Sequence, residues 1–92
     1  MTRRQLGDVA RRAAFDGHWE EAVEVNLQII AQSDKDPEAF NRLGRAYISL
    51  GNLVDAKEAY TKALRADPAN LIARRNLQRL EVLRWQGGRD SS

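Results

Sequence analysis

Apolar residues recur along this chain at intervals of three and four, in runs broken by glycine or proline. Phe40, Leu43, Gly44, Tyr47 and Leu50 form one run, and Ala56, Ala59, Tyr60, Ala63 and Leu64 form the next, beyond the Gly51-Asn52 break. Earlier, Leu6, Val9, Ala10 and Ala13 are followed past Gly17 by Trp19, Ala22, Val23, Asn26, Ile29 and Ile30. This is the spacing of one face of a helix. It predicts helices over 3–16, 19–32, 37–50, 53–66 and 71–86, and no strands. The punctuation agrees with these limits. Asp36-Pro37 reads as an N-cap followed by proline at the first helical position, where no amide donor is lost. Asp67-Pro68 stops the fourth helix, because proline cannot continue the hydrogen-bonded ladder. Gly17 and Gly51 suit the left-handed conformation that closes a helix. The end, 87–92, opens with Gly87-Gly88 and is expected to be a flexible tail.

The chain also repeats itself. A shift of 34 residues lays Gly17 over Gly51, Ala22 over Ala56, Trp19 over Leu53, and Val9 over Leu43 and Leu77. It aligns Arg11 with Arg45 and Arg79 as well. A fixed period of this length means a unit that cannot bury its apolar face alone and stacks on its neighbours. Ala10, Gly44, Ala22 and Ala56 are small where paired helices must approach closely. Phe40, Leu43, Tyr47, Tyr60 and Leu64 fill the space between layers, and the fifth helix turns Ala73, Leu77 and Leu80 inward to cover the last pair.

The run Asp36-Pro37-Glu38-Ala39-Phe40-Asn41-Arg42-Leu43-Gly44-Arg45-Ala46-Tyr47, then Gly51, Ala56, Tyr60, Ala63-Leu64 and Asp67-Pro68, resembles a tetratricopeptide repeat. Residues 3–36 resemble a second unit in which Ala10 stands for the usual glycine and Asp34 for the usual proline. Ala13 and Asn26 stand there for aromatics. Residues 71–86 look like the single helix that closes such an array, with Arg74 and Glu81 at aromatic positions. The resemblance implies an all-α fold: a right-handed α-solenoid of antiparallel helix pairs, with repeats over 3–36 and 37–70 and a capping helix over 71–86, forming one domain over 1–86.

Composition narrows the chemistry. The chain has 92 residues, no cysteine, one histidine and a net charge of +2, so disulfides, thiolate zinc sites and cysteine nucleophiles are excluded. No apolar run is long enough to span a membrane, and the N-terminal segment lacks the apolar stretch of a secretory signal. A cytoplasmic chain is expected. His18 sits in a turn beside Asp16 and Glu20, a poor set for a metal. No phosphate-binding glycine loop or catalytic triad pattern is present. The expectation is no enzyme, no catalytic residue, no metal and no cofactor.

Net charge hides a sorted distribution. The first helices of each pair together with the fifth carry ten Arg, no Lys and four acids, whereas the second helices carry three basic and five acidic residues. The resemblance implies that the first helices line a concave, peptide-binding groove. Its groove positions fall on Arg4, Gly7, Asp8, Arg11, Ala14 and Phe15, then on Glu38, Asn41, Arg42, Arg45, Ile48 and Ser49. In the fifth helix they fall on Ile72, Arg75, Asn76, Arg79, Val82 and Leu83. Arg11, Arg45 and Arg79 would form a ladder, one rung per repeat. Guanidinium forks take carboxylates bidentately and stay charged. Arg4, Arg11, Arg42, Arg45, Arg75 and Arg79, with Asn41 and Asn76 for the ligand backbone, therefore define a candidate site for an acidic or C-terminal peptide segment. Members of the family that clamp the acidic tails of heat-shock chaperones use a Lys, Asn, Asn, Lys, Arg set. The matching positions here (Gly7, Arg11, Arg42, Ile72 and Asn76) do not carry it.

Two other readings fit the same residues. The arginines would suit a plain solvated face, paired as Arg4 with Asp8 and Arg42 with Glu38 at i, i+4 spacing. Val82, Leu83 and Trp85 do not all fit on the inward face of the fifth helix, so they are candidates for homo-oligomer contacts, Trp85 either folding back as a cap or meeting another chain. Nucleic acid is disfavoured, because of the candidate stacking aromatics only Phe15 lies near the groove.

Overall fold

A computed structural model describes residues 1–90, with side chains through Val82. It contains α1 (Arg3–Phe15), α2 (Trp19–Gln32), α3 (Pro37–Ser49), α4 (Leu53–Ala66) and α5 (Leu71–Asp90), and no strand among the described residues. Each helix packs on the next in the chain, and α1 also touches α3. The result is an α-solenoid: α1 with α2, α3 with α4, then α5 covering the open end. The first four helices start and end within a residue of the expected limits. α5 continues past the expected end at 86 to Asp90, so Gly87 and Gly88 lie inside a helix. Glycine is only a weak helix former, not an incompatible one.

Local chemistry explains the boundaries. Thr2 caps α1 with a reciprocal box, its Oγ1 accepting from the Gln5 amide and its own amide donating to Gln5 Oε1. Asp36 Oδ1 accepts from the amides of Glu38 and Ala39, both at 3.1 Å, with Pro37 at the first helical position. Gly17 and Gly51 adopt φ of 75° and 81° between paired helices, a conformation that costs an L side chain. Asn70 Oδ1 accepts from the Ala73 amide at the start of α5.

The core follows the repeat. Leu6, Ala10, Val25, Ile29 and Ala39 pack together across α1, α2 and α3. Ala13, Ala22 and Ala46 meet under Trp19 and Val23. Phe40, Ala56, Tyr60 and Ala63 join Ala73 and Leu80 of α5, with Leu77 at the margin. Small residues sit where backbones come close; Ala10, Ala22 and Ala56 are fully buried. A Lys57–Glu81 ion pair of 2.6 Å and a hydrogen bond from Arg74 Nη2 to the Pro68 carbonyl fasten α5 to α4 and to the preceding loop.

Asp36 ties two repeats together, since Arg3 Nη2 of α1 reaches its Oδ2 at 3.0 Å. Burial by itself would raise the Asp36 pKa. The Arg3 hydrogen bond, the Ala39 amide and the charges of Arg3 and Arg42 outweigh it and hold the carboxyl below its ordinary value. A depressed folded-state pKa stabilises the fold above the unfolded value, about 3.9, and that contribution is lost as pH falls through the lower folded value. Asp36→Ala should lower stability by about 1 kcal/mol at neutral pH, the cost of an N-cap. The gap to wild type should close as melting is followed below about pH 4; a gap independent of pH would contradict this assignment.

Candidate functional site

The concave side of the solenoid is built from α1, α3 and the start of α5. A cleft of 470 Å³ there is lined by Arg11, Ala14, Phe15, Glu38, Asn41, Arg42, Arg45 and Ile72. All eight stand at positions that the family resemblance assigns to the groove. An adjoining cleft of 330 Å³ shares Arg11, Glu38 and Arg42 and adds Arg3, Arg4, Gly7, Ile29 and Asp36. A third concavity lies along α5 alone, lined by Ile72, Arg75, Asn76, Gln78, Arg79 and Val82. Arg11, Asn41, Arg42 and Arg45 thus line the first of these clefts, and Arg4 joins Arg11 and Arg42 in the second. Arg75, Asn76, Arg79 and Val82 line the concavity along α5, which shares Ile72 with the first cleft. Leu83 and Trp85 lie outside the described residues as far as their side chains are concerned.

The three central arginines are held in different ways. Arg45 lies over the Trp19 ring, its Cζ 5.5 Å from the centroid. A guanidinium held by its face keeps its edge N–H donors for a ligand. Arg42 is the least exposed, with 18% of its side chain accessible. Its Nε donates to Asn26 Oδ1 at 2.9 Å, and its Nη1 lies 3.8 Å from Glu38 Oε2. Burial lowers the Arg42 pKa from its ordinary value, against the charge of Asp36; Arg11 adds to the lowering and Glu38 opposes it. Arg11 pairs with Asp8 at i, i+3. The expected Arg4–Asp8 pair is replaced by this one, since residues three and four apart share a helix face and either neighbour of Asp8 can reach it. The Arg42–Glu38 pair is present as expected.

The two asparagines are engaged within the fold. Asn41 and Asn70 exchange amide hydrogen bonds of 3.1 and 3.2 Å, which link α3 to the residue that caps α5. Asn76 Nδ2 donates to the Ile72 carbonyl at 2.8 Å. Each amide therefore has part of its capacity in use, and Asn41 acts first as a strap between repeats. Apolar surface borders the arginines. Phe15 is 90% exposed and Ile72 58%, and both line the cleft.

The contribution that the sequence reading missed is Asn26. It lies on α2, fully buried, with Nδ2 donating to the Ala22 carbonyl at 2.8 Å. A signal was available: an amide on a stripe otherwise formed by Ala22, Val25 and Ile29 requires a partner. His18 precedes α2, with Nδ1 3.7 Å from Glu21 Oε2. No group of three or more metal-ligating side chains occurs among the described residues. No helix among them is long and apolar enough to cross a membrane.

Paired antiparallel helices that stack into a solenoid and present their first helices on a concave side define a helical-repeat scaffold. Residues 37–70 match the family model described as Tetratricopeptide repeat. The chain belongs to the tetratricopeptide-repeat family. A curated relative, small glutamine-rich tetratricopeptide repeat-containing protein 2 of Mycosarcoma maydis, is 35% identical over 69 residues, which are 73% of this chain and 20% of the relative. The crystal structure of the Sgt2 TPR domain from Aspergillus fumigatus superposes with a TM-score of 0.89 at 24% identity, covering 99% of this chain and 62% of that one. This chain therefore spans only a fifth of the curated relative's length.

Proposed function

We propose that this chain is a protein-interaction module whose concave groove binds an acidic segment of a partner protein, with a free C-terminal carboxylate as a favoured end. The observation that carries this reading is the convergence of Arg11, Arg42 and Arg45 on one cleft bordered by exposed Phe15 and Ile72. Arginine forks supply charge-assisted, bidentate recognition of carboxylates. The apolar border supplies area that a neighbouring ligand side chain can cover. The work is binding, not catalysis, and we place it in the cytoplasm.

The groove also contains its own anion. Glu38 lines both clefts, and its side chain is 81% exposed, so it can leave Arg42 when a ligand carboxylate arrives. It nevertheless repels an acidic ligand while it stays. Glu38→Gln should tighten binding of acidic peptides by about two- to fivefold, the scale of one surface charge pair. Weaker binding by that variant would mean that Glu38 itself contacts the ligand as an acceptor.

The experiment for this reading is an array of acidic peptides, each present with a free and with an amidated C-terminus. Salt-sensitive binding that prefers the free carboxylate is the expected result. No binding at low ionic strength would overturn it, and would leave self-association through the exposed surface of α5 around Val82 as the account to pursue.

A further inference from the structure

Asn26 has no place on the groove surface, yet among the described residues it is the one polar side chain buried in the core. It sits on the buried face of α2 with Ala22, Val25 and Ile29. Its hydrogen-bonding capacity is directed. Nδ2 is anchored on the Ala22 carbonyl at 2.8 Å, one turn back on the same helix. That bond settles which end of the amide faces outward, and the outward Oδ1 accepts from Arg42 Nε at 2.9 Å. A buried amide costs stability unless it is paired, and an apolar residue would fill the same space without that requirement. Packing alone therefore gives no reason for asparagine here.

Its effect falls on Arg42. An arginine side chain has several rotatable bonds, and ordering it for a ligand costs affinity. With Nε bound from the core side, the planar guanidinium is held in one orientation. Arg42 lines both adjoining clefts, and its Nη1 meets Glu38 at 3.8 Å. We propose that Asn26 is a positioning residue for ligand binding: a buried amide that presets the Arg42 fork for a partner's carboxylate. This inference rests on the reading of the groove as an acidic-peptide site.

The test uses the intact chain and a fluorescein-labelled octapeptide of alternating Asp and Glu with a free C-terminus. Asn26→Leu removes the acceptor and keeps the volume close to constant. The variant should melt at or above the wild-type temperature and bind the peptide about three- to tenfold more weakly, the affinity equivalent of ordering one long side chain. Arg42→Ala should weaken binding further. The double variant Asn26→Leu, Arg42→Ala should then bind no more weakly than Arg42→Ala alone, because Asn26 acts only through Arg42. A second readout is independent of ligand: the Arg42 Nε proton should exchange slowly with solvent in the wild type and fast in Asn26→Leu. Asn26→Ala serves as a second variant should the leucine disturb packing.

Wild-type binding with an unaffected Asn26→Leu, additive losses in the double variant, or a rapidly exchanging Arg42 Nε proton in the wild type would each overturn the positioning role while leaving the groove reading intact. Failure of the wild-type chain to bind the peptide would overturn both.

Discussion

Gly44→Ala is expected to be among the most damaging single substitutions in this chain. Gly44 lies in α3 where α4 crosses closely. A Cβ built there falls 2.6 Å from Cε2 and Cζ of Tyr60 and 2.9 Å from Cδ2. The Tyr60 ring is 2% exposed and packed on Phe40, Ala56, Ala63 and α5, so it has no free direction in which to yield. Overpacking of this kind costs about 1–3 kcal/mol, sometimes more. Alanine recovers about 1 kcal/mol of helix propensity over glycine. A net loss of about 1–2 kcal/mol should lower the melting temperature by roughly 4–16 °C in a domain of this size. Calorimetry or thermal circular dichroism checks it. Adding Tyr60→Leu to Gly44→Ala should cost less than the sum of the single changes, since the clash is between these two residues. A Gly44→Ala chain that melts at the wild-type temperature would mean that α3 and α4 are not this close.

Arg45→Glu should separate binding from folding. Arg45 is exposed on α3 and rests on Trp19, an interaction worth about 0.5–1 kcal/mol at an exposed site. Its loss should shift melting by no more than about 8 °C, with the helical signal unchanged. The effect on binding should be much larger. A hydrogen bond to a charged group contributes about 1.5–3 kcal/mol, and reversing the sign adds repulsion at the centre of the groove. Affinity for an acidic peptide should fall at least about a hundredfold. Arg65→Glu provides the control. Arg65 lines a different concavity, with Lys35, Lys62 and Phe40, and its reversal should change affinity by less than about threefold, as expected for a distant surface charge. Equal losses for the two variants would mean that net charge, not the groove, attracts the ligand.

The helices and their packing were legible in the sequence because their causes are local or periodic. Asp36-Pro37 caps α3, Gly17 and Gly51 take positive φ, and the 34-residue shift aligns the small residues that end up buried between helices. The positions lining the main cleft were legible in outline through the resemblance to the repeat family, which assigns them to the groove. The state of each residue was not. Asn41 is committed to Asn70 across 29 positions, Arg42 to Asn26 across 16, and Arg45 to a tryptophan on the preceding helix. Such partners depend on how layers stack, and register along one helix carries no information about them. Within a single helix the ambiguity was smaller but real, as the choice of Arg11 over Arg4 by Asp8 shows. Asn26 could have been singled out as a polar residue on an apolar stripe; its partner could not.

The central claim is that a carboxylate-rich segment binds in the Arg11, Arg42 and Arg45 cleft. Calorimetric titration of the wild-type chain and Arg45→Glu with one acidic peptide bearing a free C-terminus, repeated at rising salt, tests it most directly. The account predicts saturable one-to-one binding that weakens steadily with salt and is abolished in Arg45→Glu. Absence of binding at low ionic strength, or binding indifferent both to salt and to the Arg45 reversal, would contradict it.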